Sequence, residues 1–349
     1  MSKKIGILTG GGDAPGLNQV IRAAVYRGVK TYGYEFVGIL DGWKGLMECK
    51  TMPLTLDDVY ELSHEGGTIL GSSRTNPYKR EDGPKLCKEC FEKLGLDAII
   101  ALGGDDTIGV AYKLFTQEGI PTVCAPKTID NDISGTDQCF GFDTAINRVM
   151  EAFDRLRTTA KSHHRIMVVE VMGRHAGWMT LIGGVAGGAD IVLVPEEPVD
   201  IDEVALKLKK MRDKGRKYAM VAVSEGVKIK FAGGMEDIIT QDAEVDEFGH
   251  VRLGGIGKIL AKELQKRTGW EARHVVLGHL QRGGVPTAFD RWLSTRFGIA
   301  AVDQIANDNY GVMVVLKGFE IVSVSMEEAA KGIRMVPKEL INIARILEP

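Results

Sequence analysis

Residues 97–102 form an apolar run that stops at Gly103 and Gly104 and is followed at once by Asp105 and Asp106. A second run, residues 120–125, ends in Lys127, with Thr128, Asp130 and Asp132 behind it. Short apolar runs that end in glycine, with a helix-length segment between them, predict buried parallel strands. Ligands bind beyond the carboxyl ends of the strands in an open parallel sheet, so four carboxylates, Lys127, Thr107 and Thr128 are expected to face one cleft. Glycine at those ends permits positive φ and a close approach of backbone to ligand. Such a set suits Mg²⁺ and phosphate oxygens while one carboxylate takes a proton from an alcohol. Either motif alone reads equally as a turn with a capping aspartate or as a polar loop. Their position at the ends of consecutive strands favours a site.

The same pattern recurs along the chain. Residues 3–9 read as a strand running into Gly10, Gly11, Gly12 and Asp13, ahead of a helix over 20–29. A glycine-rich strand-to-helix turn aims backbone N–H groups at an anion, although this spacing is neither the dinucleotide fingerprint nor the P-loop. Gly66, Gly67 and Gly71 lie in a second loop that ends in Arg74, a planar permanent cation suited to phosphoryl oxygens. Strand 165–172 closes in Gly173 and Arg174, and strand 217–223 leads into Glu225. Strand 273–279 opens with Arg273 and ends in His279, with Arg282 and paired glycines following, a set fit for a phosphate monoester. Further strands are expected at 35–40, 190–195 and 312–317, and helices at 57–63, 142–160, 201–214, 256–268, 289–307 and 338–347. This alternation predicts an α/β fold of two similar doubly wound lobes with mostly parallel sheets. Residues 228–252 are polar and irregular, with a surface hairpin expected at 246–250 and no evident chemistry.

Composition narrows the function. A chain of 349 residues exceeds the usual single core, which fits two lobes. A formal net charge of −3 supplies no basic field for nucleic acid. No apolar run approaches the length of about 20 residues that a membrane helix needs. The five cysteines, an odd number without a signal peptide, predict a reducing, cytoplasmic setting. Cys87 and Cys90 form a lone CxxC whose lack of a second pair argues against a metal site. An NAD-binding oxidoreductase is disfavoured by the missing GxGxxG, and a non-catalytic sugar-phosphate sensor would not need Asp105 and Asp130.

Five ordered motifs, at residues 11–18, 103–107, 126–132, 172–174 and 277–284, together resemble the 6-phosphofructokinase family over nearly the whole chain. The resemblance implies that Asp130 is the general base toward the 1-hydroxyl of fructose 6-phosphate, supported by Thr128 and Asp132, and that Asp105 holds Mg²⁺. It implies that Gly12, Arg74 and Arg174 stabilise the phosphoryl group in transit. Gly11, Gly104, Asp106, Thr107 and Lys127 would complete the donor site. His279 and Arg282 would grip the sugar phosphate, with Arg165 and Arg273 contributed by a neighbouring subunit, and Met172, Gly173 and Glu225 would contact the sugar. A homo-oligomer, dimer or tetramer, with shared active sites follows. The lobes implied are residues 1–141 plus 281–331 for donor and Mg²⁺, and residues 142–280 plus 332–349 for fructose 6-phosphate.

Departures from the ATP-dependent pattern are informative. Asp106 and Lys127 each replace a glycine of that pattern, as in pyrophosphate-dependent members. A carboxylate at Asp106 would repel the α-phosphate of a nucleotide, and Lys127 would add positive charge for compact pyrophosphate. Val110 replaces a glycine beside the adenine. The expected activity is therefore reversible pyrophosphate:fructose 6-phosphate phosphotransfer, with ATP as the alternative donor. Arg22 is present, but Tyr26 and Leu56 stand where regulated bacterial enzymes carry effector-binding arginines, so little effector control is expected.

Overall fold

The computed structural model describes the chain except for residues 1, 231–235, 238–239, 246–250 and 330–331. Seven strands form the larger sheet in the order Glu320–Ser325, Val312–Lys317, Thr122–Pro126, Ala98–Gly103, Lys4–Thr9, Glu35–Ile39 and Thr51–Leu54. The inner pairings are parallel, and the two outermost strands pair antiparallel. The apolar runs are continuous because both faces are covered. Ile100 and Leu102 pack toward helices Leu17–Arg27 and Ala288–Ala306, whereas Ile99 and Ala101 pack toward helix Asp105–Glu118. Each fully buried leucine or isoleucine contributes about 1.5–3 kcal/mol through removal of apolar surface from water.

A second sheet runs Ala272–Val276, Ile166–Val171, Ala219–Ser224 and Ile191–Leu193, all parallel. Helices Phe142–His163 and Trp178–Ala186 cover one face, and helices Ile201–Asp213 and Ile256–Thr268 cover the other. The mostly parallel α/β architecture read from the sequence is therefore present.

In the larger sheet the chain moves outward in one direction from Lys4–Thr9 and in the other from Ala98–Gly103. The reversal places a crevice between the carboxyl ends of these adjacent strands, where open α/β sheets bind ligands. Gly10 and Gly104 sit at its two sides.

Several expectations need correction. The strand expected at 273–279 ends at Val276, and Gly278–Gln281 turns as a 3₁₀ helix. The helix expected at 57–63 is a 3₁₀ turn at Tyr60–His64. Two edge strands were not anticipated. Thr51–Leu54 contains Pro53, and Glu320–Ser325 has a half-polar pattern. The expected hairpin tip at 246–250 lies outside the described residues, but the flanking Thr240–Val245 and Val251–Leu253 pair antiparallel. Cys90 is bonded to Cys49 rather than partnering Cys87, because helices Trp43–Glu48 and Gly83–Lys93 bring the two Cα atoms to 5.4 Å. This disulfide runs against the expectation of free thiols, and Cys87, Cys124 and Cys139 are free and buried. No helix among the described residues is long and apolar enough to cross a membrane.

Candidate active site

The first glycine loop is shaped by close packing. Gly10 N–H donates to the Leu102 carbonyl at 2.9 Å, and Gly11 N–H donates to the Ser73 carbonyl at 3.0 Å. Thr107, 2% exposed in the first turn of helix Asp105–Glu118, wedges between strand ends. A Cβ on Gly10 would stand 2.6 Å from the Thr107 hydroxyl, and one on Gly103 2.3 Å from the Thr107 Cβ. Only glycine leaves room there. A Cβ on Gly12 would likewise lie 2.6 Å from Arg282 Nη1, which donates to the Asp13 carbonyl at 3.1 Å. Asp105 and Asp106 occupy the first turn of the helix, whose N-cap, Gly104, offers no side chain. The helix dipole favours negative charge at this end.

Lys127 follows strand Thr122–Pro126 and is only 3% exposed. Its Nζ donates to the Gly12 carbonyl. Burial, reinforced by the Arg282 charge, pushes its pKa down to about 8. The lysine thus presents its proton to the space beside the glycine loop at a cost that an incoming anion would offset.

The carboxylates behind it are also strained electrostatically. Asp130 Oδ1 is buried without a hydrogen-bond partner, an exceptional state for a carboxylate. Burial raises the Asp130 pKa, the Arg282 charge opposes that rise, and Asp105 adds to it. Asp130 N–H donates to Thr128 Oγ1 at 3.0 Å, which turns the intervening loop back on itself. Burial and the neighbouring Asp130 and Asp105 carboxylates raise Asp132 to about 8. From the second sheet, Glu225 accepts from Gly173 N–H at 3.4 Å, and burial and Asp130 raise it to about 7. A buried carboxylate with an open oxygen, as at Asp130, is equipped to accept a proton from a hydroxyl brought against it.

These groups line one cleft of about 160 Å³, closed from the side of the second sheet by Met172, Arg174 and Glu225. Gly11, Gly12, Arg74, Gly104, Asp105, Asp106, Thr107, Lys127, Thr128, Asp130, Asp132 and Arg282 supply the rest of the expected lining. Gly173 stands immediately behind, through its bond to Glu225. Three expected residues lie elsewhere. His279 is exposed in the 3₁₀ turn and does not line the cleft. Arg165 and Arg273 are held away by Glu271, at 3.0 Å and 2.5 Å. His175 also lines the cleft and was not foreseen, although its place directly after Arg174 was a usable signal.

A second cavity of about 260 Å³ adjoins the first. Asp105 and Asp106 line both, and Val110 and Ile333 line only the second. Among the described residues, no group of three or more His, Cys, Asp or Glu side chains is arranged to hold a metal ion.

The phosphofructokinase family model matches residues 4–305. A pyrophosphate--fructose 6-phosphate 1-phosphotransferase of Streptomyces coelicolor is 51% identical, covering 97% of this chain and 97% of its own. The same organism's ATP-dependent 6-phosphofructokinase 3 is 49% identical, covering 96% of each. A solved pyrophosphate-dependent phosphofructokinase of Nitrosospira multiformis superposes with a TM-score of 0.82 at 22% identity, over 97% of this chain and 87% of that one, and bears on fold alone. With the family match reaching both sides of the cleft and full-length relatives about half identical, the chain belongs to the phosphofructokinase family and is a phosphotransferase.

Proposed function

We propose that this enzyme transfers a phosphoryl group from pyrophosphate to the 1-hydroxyl of fructose 6-phosphate, reversibly, as a step of glycolysis and gluconeogenesis in the cytoplasm. The observation that carries the donor assignment is the pair Asp106 and Lys127. Lys127 puts a buried ammonium beside the glycine loop, where a compact polyanion would lie, and Asp106 borders both cavities. A nucleotide reaching from the cleft into the second cavity would pass the Asp106 carboxylate, which repels its inner phosphate. Two relatives that this chain resembles from end to end carry pyrophosphate or ATP in their names, so the donor turns on local chemistry.

In this reading Asp130 accepts the proton of the sugar 1-hydroxyl. The freed oxygen bonds to the terminal phosphorus, the bridging P–O bond breaks, and orthophosphate departs. The reverse reaction returns the same proton. Arg74 and Arg174 approach the transferring group from opposite sheets, with the Gly12 backbone beside it, and spread its charge. Arg282 serves the same polyanionic space, and Thr128 and Asp132 support the base.

Asp105 suits Mg²⁺ held mainly by phosphate oxygens and water. Such an ion needs only one or two protein carboxylates, which agrees with a site that has no three-ligand cluster. Mg²⁺ bound there with pyrophosphate would neutralise charge on the phosphate oxygens.

Residues 1–141 with 281–331 are proposed as the donor lobe, and 142–280 with 332–349 as the sugar-phosphate lobe. Arg165 and Arg273 precede or open strands whose far ends face the cleft, so they suit the site of a second subunit in a homo-oligomer. His279 would join the sugar phosphate at that junction. ATP is the second reading, favoured by the adjoining cavity. The test compares initial rates with pyrophosphate and ATP at matched concentrations, on wild type and Asp106→Gly/Lys127→Gly. Pyrophosphate preference that collapses in the double variant supports the reading, and equal or better wild-type turnover with ATP refutes it.

A further inference from the structure

The Asp130–Asp132 loop is braced by a strap of chain that the family match does not reach. Residues 332–336 run antiparallel to residues 131–134, with Ile133 bridging Ile333 and Ser134 Oγ donating to the Gly332 carbonyl at 2.7 Å. Arg334 is the centre of this contact. Its guanidinium donates to the Asn131 carbonyl through Nη2 at 2.9 Å and Nε at 3.3 Å, and its backbone N–H donates to the Asp132 carbonyl at 2.7 Å.

Asn131 sits at the turn of the loop. It is 3% exposed and holds a left-handed φ of 54°, a conformation that asparagine adopts more readily than most residues other than glycine. Asp130 and Asp132, on either side of it, both line the cleft. Asn131 Oδ1 accepts from Cys139 N–H at 2.9 Å, which ties the same residue to the chain beyond the loop, while its carbonyl accepts from Arg334.

Arg334 also reaches the opposite sheet. Its guanidinium stacks on the Trp178 ring at 4.3 Å, and its carbonyl accepts from Trp178 Nε1 at 2.8 Å. Trp178 opens the helix that follows the Arg174 loop. Two residues on, Val336 N–H donates to Glu196, which also accepts from Gly177 at that helix start.

The geometry points to Arg334 as a positioning residue that locks the Asp130–Asp132 loop to the helix behind Arg174, fixing the distance between the proton acceptor and a phosphoryl-binding arginine. Arg334 itself does not line the cleft. The inference rests on Asp130 acting as the base in the proposed reaction. Burial lowers the Arg334 pKa, and the neighbouring Cys139, Asp137 and Asp132 groups oppose that, so the guanidinium and the Asp132 carboxylate favour each other's ionised state.

The test measures kcat and KM across pH for Arg334→Ala and Arg334→Lys, with the donor that the wild type turns over, alongside Tm and the fructose 6-phosphate Kd by calorimetry. Misplacement of a reacting group by about 1 Å costs roughly 100-fold, so Arg334→Ala is expected to lose about 30- to 100-fold in kcat with Kd within about threefold. Its acidic limb should move to higher pH, because Asp132, which interacts with Asp130, loses a neighbouring cation. Arg334→Lys, which keeps the charge and one hydrogen bond, should restore the limb and part of kcat. A kcat for Arg334→Ala within threefold of wild type overturns the inference. So does a lower Tm with kcat and Kd worsening together and the pH limb unmoved. If Arg334→Ala does not fold, Arg334→Lys decides, and wild-type kcat in that variant with a lowered Tm assigns Arg334 to stability alone. A wild type inactive with pyrophosphate and active with ATP refutes the donor assignment only, whereas inactivity with both removes the catalytic reading and this inference with it.

Discussion

Replacing Lys127 with methionine keeps most of the buried stem and removes the charge, so it isolates what the ammonium does for the donor. The side chain is 3% exposed, which shields the group from bulk water and salt. A hydrogen bond to a charged partner contributes about 1.5–3 kcal/mol, or about 10- to 150-fold in kcat/KM for pyrophosphate. The pH dependence sharpens the prediction. With a pKa of about 8 before donor binds, the lysine is mostly protonated at pH 7 and mostly neutral at pH 9. The charged form is the one that binds the anion, so affinity is present below that pKa and lost as pH rises through it. The fraction protonated falls about tenfold over that range, so a 50-fold advantage of wild type at pH 7 should shrink to about fivefold at pH 9. The assay is kcat/KM for pyrophosphate at saturating fructose 6-phosphate, and taking the ratio of wild type to variant cancels the donor's own ionisation. A ratio that stays constant from pH 7 to 9, or a variant within twofold of wild type at pH 7, would refute the role given to Lys127.

Asp130→Asn should lower kcat by about 10²- to 10⁴-fold while calorimetry finds fructose 6-phosphate still bound, since it removes the proton acceptor and little else. Gly12→Ala should push aside the Arg282 guanidinium, which would lie 2.6 Å from the new Cβ, and reduce kcat/KM at least tenfold with little change in Tm. ADP and phosphoenolpyruvate should leave the fructose 6-phosphate saturation curve unmoved. Arg22 is occupied, stacked 4.5 Å from the Tyr26 ring and donating to the Tyr60 carbonyl, and a shifted half-saturation would show otherwise. Reduction of the Cys49–Cys90 bond, or Cys49→Ser, should lower Tm, because it frees a 41-residue span whose closure stabilises the fold by up to about 4 kcal/mol.

The strand ends were the legible part of this chain because there one residue type serves two demands. Gly10 and Gly103 are required by the Thr107 wedge, and the backbone thereby exposed is also what a phosphate would meet. Lys127, Asp130 and Asp132 were legible for a related reason: charges directly behind an apolar strand are already at the sheet's ligand-binding edge. The outer strand Thr51–Leu54 gave no comparable signal, since its antiparallel partner, rather than its own alternation, defines it.

Arg165 and Arg273 show where one chain's sequence stops short of a site. Arg273 pairs with Met167 in parallel register, and Arg165 lies just ahead of that strand, so both belong to the amino ends of strands whose carboxyl ends face the cleft. Strand Ile166–Val171 has six residues and spans about 20 Å, so the two arginines, paired with Glu271, lie at the other end of the sheet from Met172 and Arg174 in the cleft. The family resemblance implies a place for them in a neighbouring subunit's site, and their position at the amino ends of these strands is what the proposed homo-oligomer would require. Arg334 is the opposite case. It was not legible because its hydrogen bonds go to the Asn131 and Asp132 backbone carbonyls, which carry no signature in the sequence, and only the folded chain brings residue 334 against residues 131 and 132.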